Sequence, residues 1–353
     1  MKKVFRKSIL FLMALALVAT PIELLAGHKA SHKRVSSSQK KHLIKVSSRS
    51  SKAHAQRVYL RLRAARQMQL QRQQAFELGD NYDGSGILQL ASSKALIINQ
   101  NTGEVVYAKN TNLPSPIASI TKLMTAMVML DGKQSLDEDI YVSNEDIDYV
   151  KGTHSRLPVG ASLSRGDMLQ LALMASENRA ASAIASNYPG GQYAFVKAMN
   201  VKALALGLKQ THFVDPTGLE SENVSTAEDL VKMVQAAYQY PEIRLATTSP
   251  SHEVYIGDRE YPTNFNNTNG LVRGGEWQIG LSKTGFINEA GRCLVMQAKV
   301  AGESVIIVLL DSFGKLTRIG DANRIRKWME YNSTTTTGAN TGAPHEVMAG
   351  KIS

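Results

Sequence analysis

The chain has one cysteine among its 353 residues, which excludes an internal disulfide. Cys293 lies in an apolar segment that we predict to be a strand, so we expect a buried, unreactive thiol there. An apolar run near the N-terminus, residues 9–19, is shorter than the roughly 20 residues that a membrane-spanning helix needs. This run therefore does not predict a transmembrane segment.

Motifs for metals and nucleotides are also missing. Four of the eight histidines lie in the basic segment after residue 26 and the rest are scattered, without the spacing of a zinc site. The stretch Gly84-Ser85-Gly86 lacks the Lys-Ser/Thr of a phosphate-binding loop and is interpreted as a linker. We expect no metal ion and no cofactor.

The formal net charge of +11 is concentrated in one part of the chain. Residues 27–78 carry thirteen lysines and arginines against a single acid, Glu77, and residues 79–353 are mildly acidic. It shows no motif for stacking on bases or reading a groove. We therefore expect no nucleic-acid partner.

The N-terminus has the features of a secretory signal. Basic residues at positions 2, 3, 6 and 7 precede the apolar run, and we place the end of the signal at Ala26. No cysteine lies near that point, so a lipoprotein is not expected. The signal, residues 1–26, predicts export.

The segments on both sides of the central region are predicted to be largely disordered. Residues 27–85 begin with a Ser- and Lys-rich stretch, whereas residues 56–78 have a pattern that permits a helix. This basic segment is either a solvated spacer or an electrostatic contact with anionic wall polymer or membrane. The tail, residues 333–353, shows neither a second β-rich domain nor an amphipathic anchor.

The intervening region, residues 86–332, is predicted to fold as one α/β domain. Residues 94–99 and 104–108 are predicted strands joined by a turn at 101–103, and residues 293–298 and 305–310 are two more. A helix is predicted from Arg318 to Tyr331. Strands at both ends with helices between them indicate that the ends meet in one sheet.

A serine and a lysine three residues apart form the first candidate site. Ser119-Ile120-Thr121-Lys122 precedes an apolar helical run, and this spacing places both side chains on one helix face. A serine hydroxyl attacks only when a base removes its proton, and a lysine is such a base when burial and a second cation keep it neutral. Lys283 is the candidate for that cation.

Two further motifs follow in order. Ser176-Glu177-Asn178 is predicted on a loop after an apolar helix, where a hydroxyl and an amide can relay a proton and bind a substrate amide. Lys283-Thr284-Gly285 is predicted on an inner strand that lines the cleft, with Gly285 allowing a substrate backbone to pair closely. Each motif alone is weak, but the ordered set is specific.

This ordered set resembles that of the low-molecular-mass penicillin-binding proteins of the D-alanyl-D-alanine carboxypeptidase family, over about residues 86–331. The resemblance implies the penicillin-binding protein/β-lactamase-like transpeptidase fold, a five-stranded antiparallel sheet flanked by helices plus an all-helical subregion. It also implies a periplasmic serine DD-peptidase that acts on peptidoglycan stem peptides and is acylated by β-lactam antibiotics. Glu177 is similar to the endopeptidases of the family, whereas its carboxypeptidases usually carry Gly there.

The resemblance also implies roles for individual residues. Ser119 is the expected nucleophile, Lys122 its base, and Ser176 and Asn178 the proton relay and a substrate contact. The remaining residues are expected to bind substrate. Lys283 and Thr284 would hold a carboxylate, and Gly285 lies on the strand that lines the cleft. The N–H groups of Ser119 and Phe286 would form the oxyanion hole. For the Glu177 carboxylate two roles stay open: a contact with the diaminopimelyl amine, or a solvent-facing spacer.

Three alternatives to an endopeptidase are considered. A carboxypeptidase acylates the same serine and differs only in the leaving group. A class A β-lactamase needs a loop glutamate with an asparagine four residues later, and Glu220 and Glu222 are followed at that distance by Val224 and Thr226. A non-catalytic wall-binding module is disfavoured because both Ser119 and Lys122 are present.

Overall fold

The computed structural model describes residues 84–338, with residue 259 left out. The predicted signal, the basic segment up to residue 83 with its possible helix at 56–78, and the tail beyond residue 338 lie outside the described residues. Among the described residues, no helix combines the length and the apolar content that crossing a membrane requires.

Eleven strands occur in this part of the chain. They are β1 (Lys94–Asn99), β2 (Val105–Lys109), β3 (Ser115–Pro116), β4 (Asp139–Tyr141), β5 (Ser162–Ser164), β6 (Val224–Ser225), β7 (Ser251–Val254), β8 (Thr263–Asn266), β9 (Gln278–Ile287), β10 (Gly291–Val300) and β11 (Glu303–Ser312).

The helices lie mostly between the two groups of long strands. They are α1 (Lys122–Asp131), α2 (Arg165–Gln170), α3 (Asn178–Ser186), α4 (Gly191–Ala205), α5 (Ala227–Ala237), α6 (Pro241–Thr248), α7 (Gly270–Gly274) and α8 (Thr317–Gly338). Two 3₁₀ turns (Ala118–Thr121 and Asn144–Asp146) and one π-helical turn (Leu171–Ala175) complete the set in the described residues.

The long strands form one antiparallel sheet in the order β2-β1-β11-β10-β9. The two ends of the domain therefore meet at the β1–β11 pair, where Leu96 lies opposite Val308. This confirms the predicted α/β arrangement and the five-stranded antiparallel sheet. The helical region also contains the short pairs β3–β6, β4–β5 and β7–β8, which are too short to leave a periodic signal in the sequence.

Both faces of the sheet are covered, which explains the continuous apolar runs in its strands. Successive side chains of a strand point to opposite faces. In β11, Ile306 and Val308 pack into the core that contains α1, whereas Ile307 and Leu309 pack against the other face with α8. All residues of α1 except the last two are buried, so α1 is a central helix rather than an amphipathic surface helix.

Helix α8 joins the end of the domain to its beginning. Its buried Asp321 accepts hydrogen bonds from the backbone N–H groups of Ala91 and Ser92, and Trp328 donates to the carbonyl of Gly86 at 3.1 Å. The helix continues to Gly338, beyond the predicted end at Tyr331. The prediction of disorder is therefore wrong for residues 333–338.

Candidate active site

Ser119 lies at the point where the chain enters the central helix. The 3₁₀ turn Ala118–Thr121 leads directly into α1, so the predicted position at the start of a buried helix is confirmed. Ala118, Ile120 and Thr121 are buried, whereas Ser119 is partly exposed and lines a cleft of about 510 Å³. The turn therefore presents one hydroxyl to the cleft.

The Lys122 amine is fully buried directly below this hydroxyl. Its Nζ donates to Ser119 Oγ at 2.8 Å, to Asn178 Oδ1 at 2.7 Å and to the carbonyl oxygen of Thr217 at 2.7 Å. Burial lowers the pKa of Lys122 to about 7, against the opposing effect of nearby carboxylates, of which Asp215 has the largest influence. A substantial fraction of Lys122 is thus neutral near pH 7, as a general base requires.

A second buried lysine, Lys283, lies beside Ser176, which also lines the cleft. Its Nζ donates to Ser176 Oγ at 2.9 Å and to the carbonyl oxygen of Thr284 at 3.0 Å. Burial, followed by repulsion from Lys122 and Arg318, holds the pKa of Lys283 well below its usual value. The sequence predicts that burial and Lys283 together keep Lys122 neutral. Burial is the largest cause of the lowered pKa of Lys122. The repulsion between the two lysines lowers the pKa of Lys283 instead.

The second motif spans the end of one helix and the start of another. Ser176 follows the π-helical turn in the left-handed conformation, with φ of 60°, and this turns its hydroxyl toward Lys283. Asn178 is the first residue of α3 rather than a loop residue. Ser176 and Asn178 both line the cleft.

The third motif lies on an edge strand, and the prediction of an inner strand is wrong. Among the described strands, β9 pairs only with β10, and Thr284, Gly285 and Phe286 line the cleft beside Ser119. A Cβ at Gly285 would lie 2.9 Å from the carbonyl oxygen of Ile117, so Gly285 first of all permits close packing of β9 on the serine turn. An edge strand also keeps backbone groups unpaired for an extended peptide.

Glu177 has neither of the two roles considered for it. Its side chain is only 9% exposed, and its carboxylate accepts a hydrogen bond from Ser155 Oγ at 2.7 Å and lies 4.0 Å from Arg156 Nε. Glu177 therefore holds the loop beside the cleft in place. Its carboxylate is neither a solvent-facing spacer nor free for a substrate amine.

A loop outside the three motifs, residues 215–220, contacts Lys122 and packs on the turn that carries Ser119. The Asp215 carboxylate accepts hydrogen bonds from the backbone N–H groups of Thr217, Gly218 and Glu220, at 2.5, 2.8 and 2.9 Å. This turn presents the Thr217 carbonyl to Lys122. The signal was present, because an aspartate followed by proline and then glycine is typical of a turn.

Replacing Gly218 with alanine should destabilise the fold and slow the reaction of Ser119. Gly218 has φ of +84°, and a Cβ there would lie 2.0 Å from the carbonyl oxygen of Ala118. We expect a loss of about 2–4 kcal/mol in the free energy of unfolding, measured by urea titration. Gly207→Ala is the matched control, since Gly207 has φ of +68° and open space around it. Equal losses in the two variants would contradict the packing argument.

Arg318 is a second residue that the motifs did not reveal. It lies in α8, is 8% exposed and lines the cleft together with Thr284. Within the described residues, its Nε and Nη1 atoms have no hydrogen-bond partner. Burial, and then the charge of Arg292, lowers the pKa of Arg318 to about 10, so it remains a cation at neutral pH. A guanidinium at the wall of a cleft suits a carboxylate ligand.

Cys293 lies in β10 and is fully buried. Burial raises the pKa of its thiol to about 11. The thiolate is the reactive form, so this residue is the unreactive cysteine that we predicted.

A serine hydroxyl bonded to a buried lysine, beside a second Ser–Lys pair on an antiparallel sheet, defines a serine acyl-transfer enzyme of the penicillin-binding type. The sequence profile of the D-alanyl-D-alanine carboxypeptidase family matches residues 82–314. The chain belongs to this family and is a serine-type D-Ala-D-Ala peptidase. Members of the family act on peptidoglycan outside the cytoplasm.

Individual relatives support the same assignment. The chain is 51% identical to the D-alanyl-D-alanine endopeptidase of Pseudomonas aeruginosa over 70% of this chain and 80% of that protein. It is 48% identical to the protein of the same name from Escherichia coli, over 69% and 78%. The crystal structure of the Streptomyces K15 DD-transpeptidase matches with a TM-score of 0.63 and 27% identity, over 71% of this chain and all of that one.

Proposed function

We propose that this protein is a D-alanyl-D-alanine endopeptidase that hydrolyses the D-alanyl-diaminopimelyl cross-links of peptidoglycan through an acyl-enzyme on Ser119. The observation that carries the chemistry is the 2.8 Å contact between Ser119 Oγ and the buried amine of Lys122. The preference for cross-links is inferred from the names of the two relatives above and from the resemblance of Glu177 to the endopeptidases of the family, not from a contact of its carboxylate with substrate.

Acylation begins with Lys122 in its neutral form. Lys122 takes the proton of Ser119, whose oxygen attacks the carbonyl carbon of the donor D-alanine and forms the tetrahedral intermediate. The backbone N–H groups of Ser119 and Phe286, two residues that line the same cleft, stabilise the negative oxygen.

Collapse of the intermediate needs a proton on the leaving amine. Ser176, which accepts a hydrogen bond from Lys283, is the hydroxyl placed to relay to that amine the proton that Lys122 removed from Ser119. The C–N bond breaks and the acyl ester remains on Ser119. Lys122, again neutral, then takes a proton from the water that hydrolyses the ester.

Substrate binding uses the remaining cleft residues. Thr284 and Arg318 line the cleft, and the buried Lys283 donates to the carbonyl oxygen of Thr284. These three residues are placed to bind the carboxylate next to the scissile amide. Asn178 gives one N–H to Thr153 and keeps the other for a substrate amide. Gly285 lets β9 lie close to Ser119, where an extended stem peptide can pair with the strand.

The decisive measurement is a time course on purified cross-linked muropeptide dimer and on monomeric pentapeptide at equal concentration. An endopeptidase converts dimer to monomers with little release of free D-alanine. An Arg318→Gln variant should show a raised KM with a smaller change in kcat, because Arg318 contacts the substrate rather than Ser119. Release of D-alanine with the dimer left intact would assign carboxypeptidase activity instead.

We also propose that the protein works in the periplasm, since residues 1–26 have the pattern of a secretory signal. The basic residues 27–78 suit an electrostatic contact with anionic wall polymer. A chain that begins at Gly79 should keep its activity on soluble muropeptides and lose binding to intact sacculi. The binding of the longer chain should weaken as salt rises, and salt-independent binding would contradict the electrostatic contact.

A further inference from the structure

The direction of the Lys122 lone pair depends on the partners of its amine. As an ammonium, Lys122 has three N–H groups for three oxygens, namely Ser119 Oγ, Asn178 Oδ1 and the Thr217 carbonyl. After losing a proton it has two N–H groups and one lone pair. If Asn178 and Thr217 accept the two N–H groups, the lone pair faces Ser119, and only this arrangement makes Lys122 the base for that serine.

The two acceptor groups differ in whether they can also present a donor to Lys122. The Thr217 oxygen is a backbone carbonyl, which can only accept. The Asn178 side chain is an amide, and a rotation of 180° about its last bond would replace the oxygen by an NH₂ group. That group would donate to the lone pair of neutral Lys122 and draw it away from Ser119.

A loop residue opposes this rotation. Asn178 Nδ2 donates to Thr153 Oγ1 at 2.9 Å, and Thr153 Oγ1 donates to Asp148 Oδ2 at 2.6 Å. A carboxylate only accepts, so the hydroxyl proton points to Asp148 and the hydroxyl oxygen remains an acceptor for the Asn178 N–H. The pKa of Asp148 is lowered, despite partial burial, by hydrogen bonds from Lys151, Thr153 and Val150, which keeps the carboxylate ionised.

We propose that Thr153 and Asp148 are positioning residues that hold the Asn178 amide with its oxygen toward Lys122 and thereby aim the lone pair of neutral Lys122 at Ser119. This inference rests on the proposed function, in which Lys122 is the base. Neither residue belongs to the three motifs.

The pH dependence of acylation separates this role from a structural one. The charged groups that act on Lys122 are the carboxylates of Asp215, Glu177 and Asp148. A Thr153→Val variant leaves all three in place, and it also leaves Lys283, on which Lys122 acts. In that variant the rotated amide traps Lys122 only when Lys122 is neutral. Below the Lys122 pKa of about 7, most molecules carry protonated Lys122 in both proteins. The small fraction with neutral Lys122 and the amide in its productive orientation is then the same in the variant as in the wild type.

The test measures the second-order rate of acylation by a fluorescent penicillin from about pH 5.5 to about pH 8.5. Thr153→Val should match the wild type at the low end and fall about tenfold below it at the high end, the effect of one lost hydrogen bond. Its apparent midpoint should also move to lower pH. Thr153→Ser, which keeps the hydroxyl, should restore the wild-type profile.

Two controls identify what has failed if the result differs. Thr102→Val removes an exposed threonine hydroxyl in the β1–β2 turn, away from the cleft, and should have no effect. An equal loss at every pH in Thr153→Val, or no loss at all, overturns the positioning role while labelling still depends on Ser119. Labelling of Ser119→Ala at the wild-type rate would instead overturn the proposed function.

Discussion

Replacing Ser119 with alanine should abolish covalent labelling by fluorescent penicillin and lower peptide hydrolysis by about 10⁴-fold or more. A β-lactam presents a strained amide to the same hydroxyl that attacks the D-alanine carbonyl, so both reactions need the Ser119 oxygen. The Lys122 amine lies 2.8 Å from that oxygen, and no other serine hydroxyl receives a hydrogen bond from Lys122 within the described residues.

The substitution should leave the fold intact, because alanine only removes a hydroxyl that accepts one hydrogen bond in a partly exposed position. Thermal unfolding of the variant checks this. Ser176→Ala is the matched control, since it removes a second cleft hydroxyl but keeps the nucleophile. It should still form the penicilloyl ester, more slowly. Equal labelling of Ser119→Ala and wild type would refute the assignment.

Replacing Lys122 with arginine should reduce acylation nearly as much as loss of the serine. The acylation rate of the wild type should rise with pH through about 7, because burial lowers the pKa of Lys122 to that value and only the neutral amine takes a proton. Arginine stays protonated throughout this range, so the variant should lose the rise as well as the activity. Stopped-flow acylation at several pH values measures both.

Lys283→Arg provides the comparison. In the structure Lys283 only donates, to Ser176 Oγ and to the Thr284 carbonyl, and an arginine can also donate. We therefore expect a smaller loss, of about 10- to 100-fold, at a site that is equally buried. A Lys122→Arg variant that acylates near the wild-type rate, beside an inactive Lys283→Arg, would reverse the roles of the two lysines.

The strands and motifs were predictable for different reasons. Strands β10 and β11 are continuous apolar runs, because both faces of the sheet are covered, and such runs are visible in any sequence. Ser119 and Lys122 are three residues apart on one helical segment, so local geometry alone brings them together. The position of β9 at the sheet edge was mispredicted, since nothing in the segment 278–287 shows what lies beside it.

The residues that complete the site come from distant parts of the chain. Arg318 enters the cleft from α8, Thr217 reaches Lys122 from a loop, and Thr153 reaches Asn178 from another. None of the three stands in a pattern that sequence reasoning connects with Ser119. Glu177 differs from these residues, because the sequence places it within a motif. The sequence does not show that its carboxylate accepts a hydrogen bond from Ser155.

The sequence by itself determined the chemistry of this protein: a serine, a lysine and their two companion motifs, in an order that specifies acyl transfer, on segments whose apolar periodicity specifies strands and helices. Only the tertiary structure decided how that chemistry is controlled. The pKa of Lys122 depends on its burial, and the direction of its lone pair depends on Asn178, Thr153 and Asp148. Burial and hydrogen-bond direction arise from contacts between segments far apart in the chain, which no local pattern records.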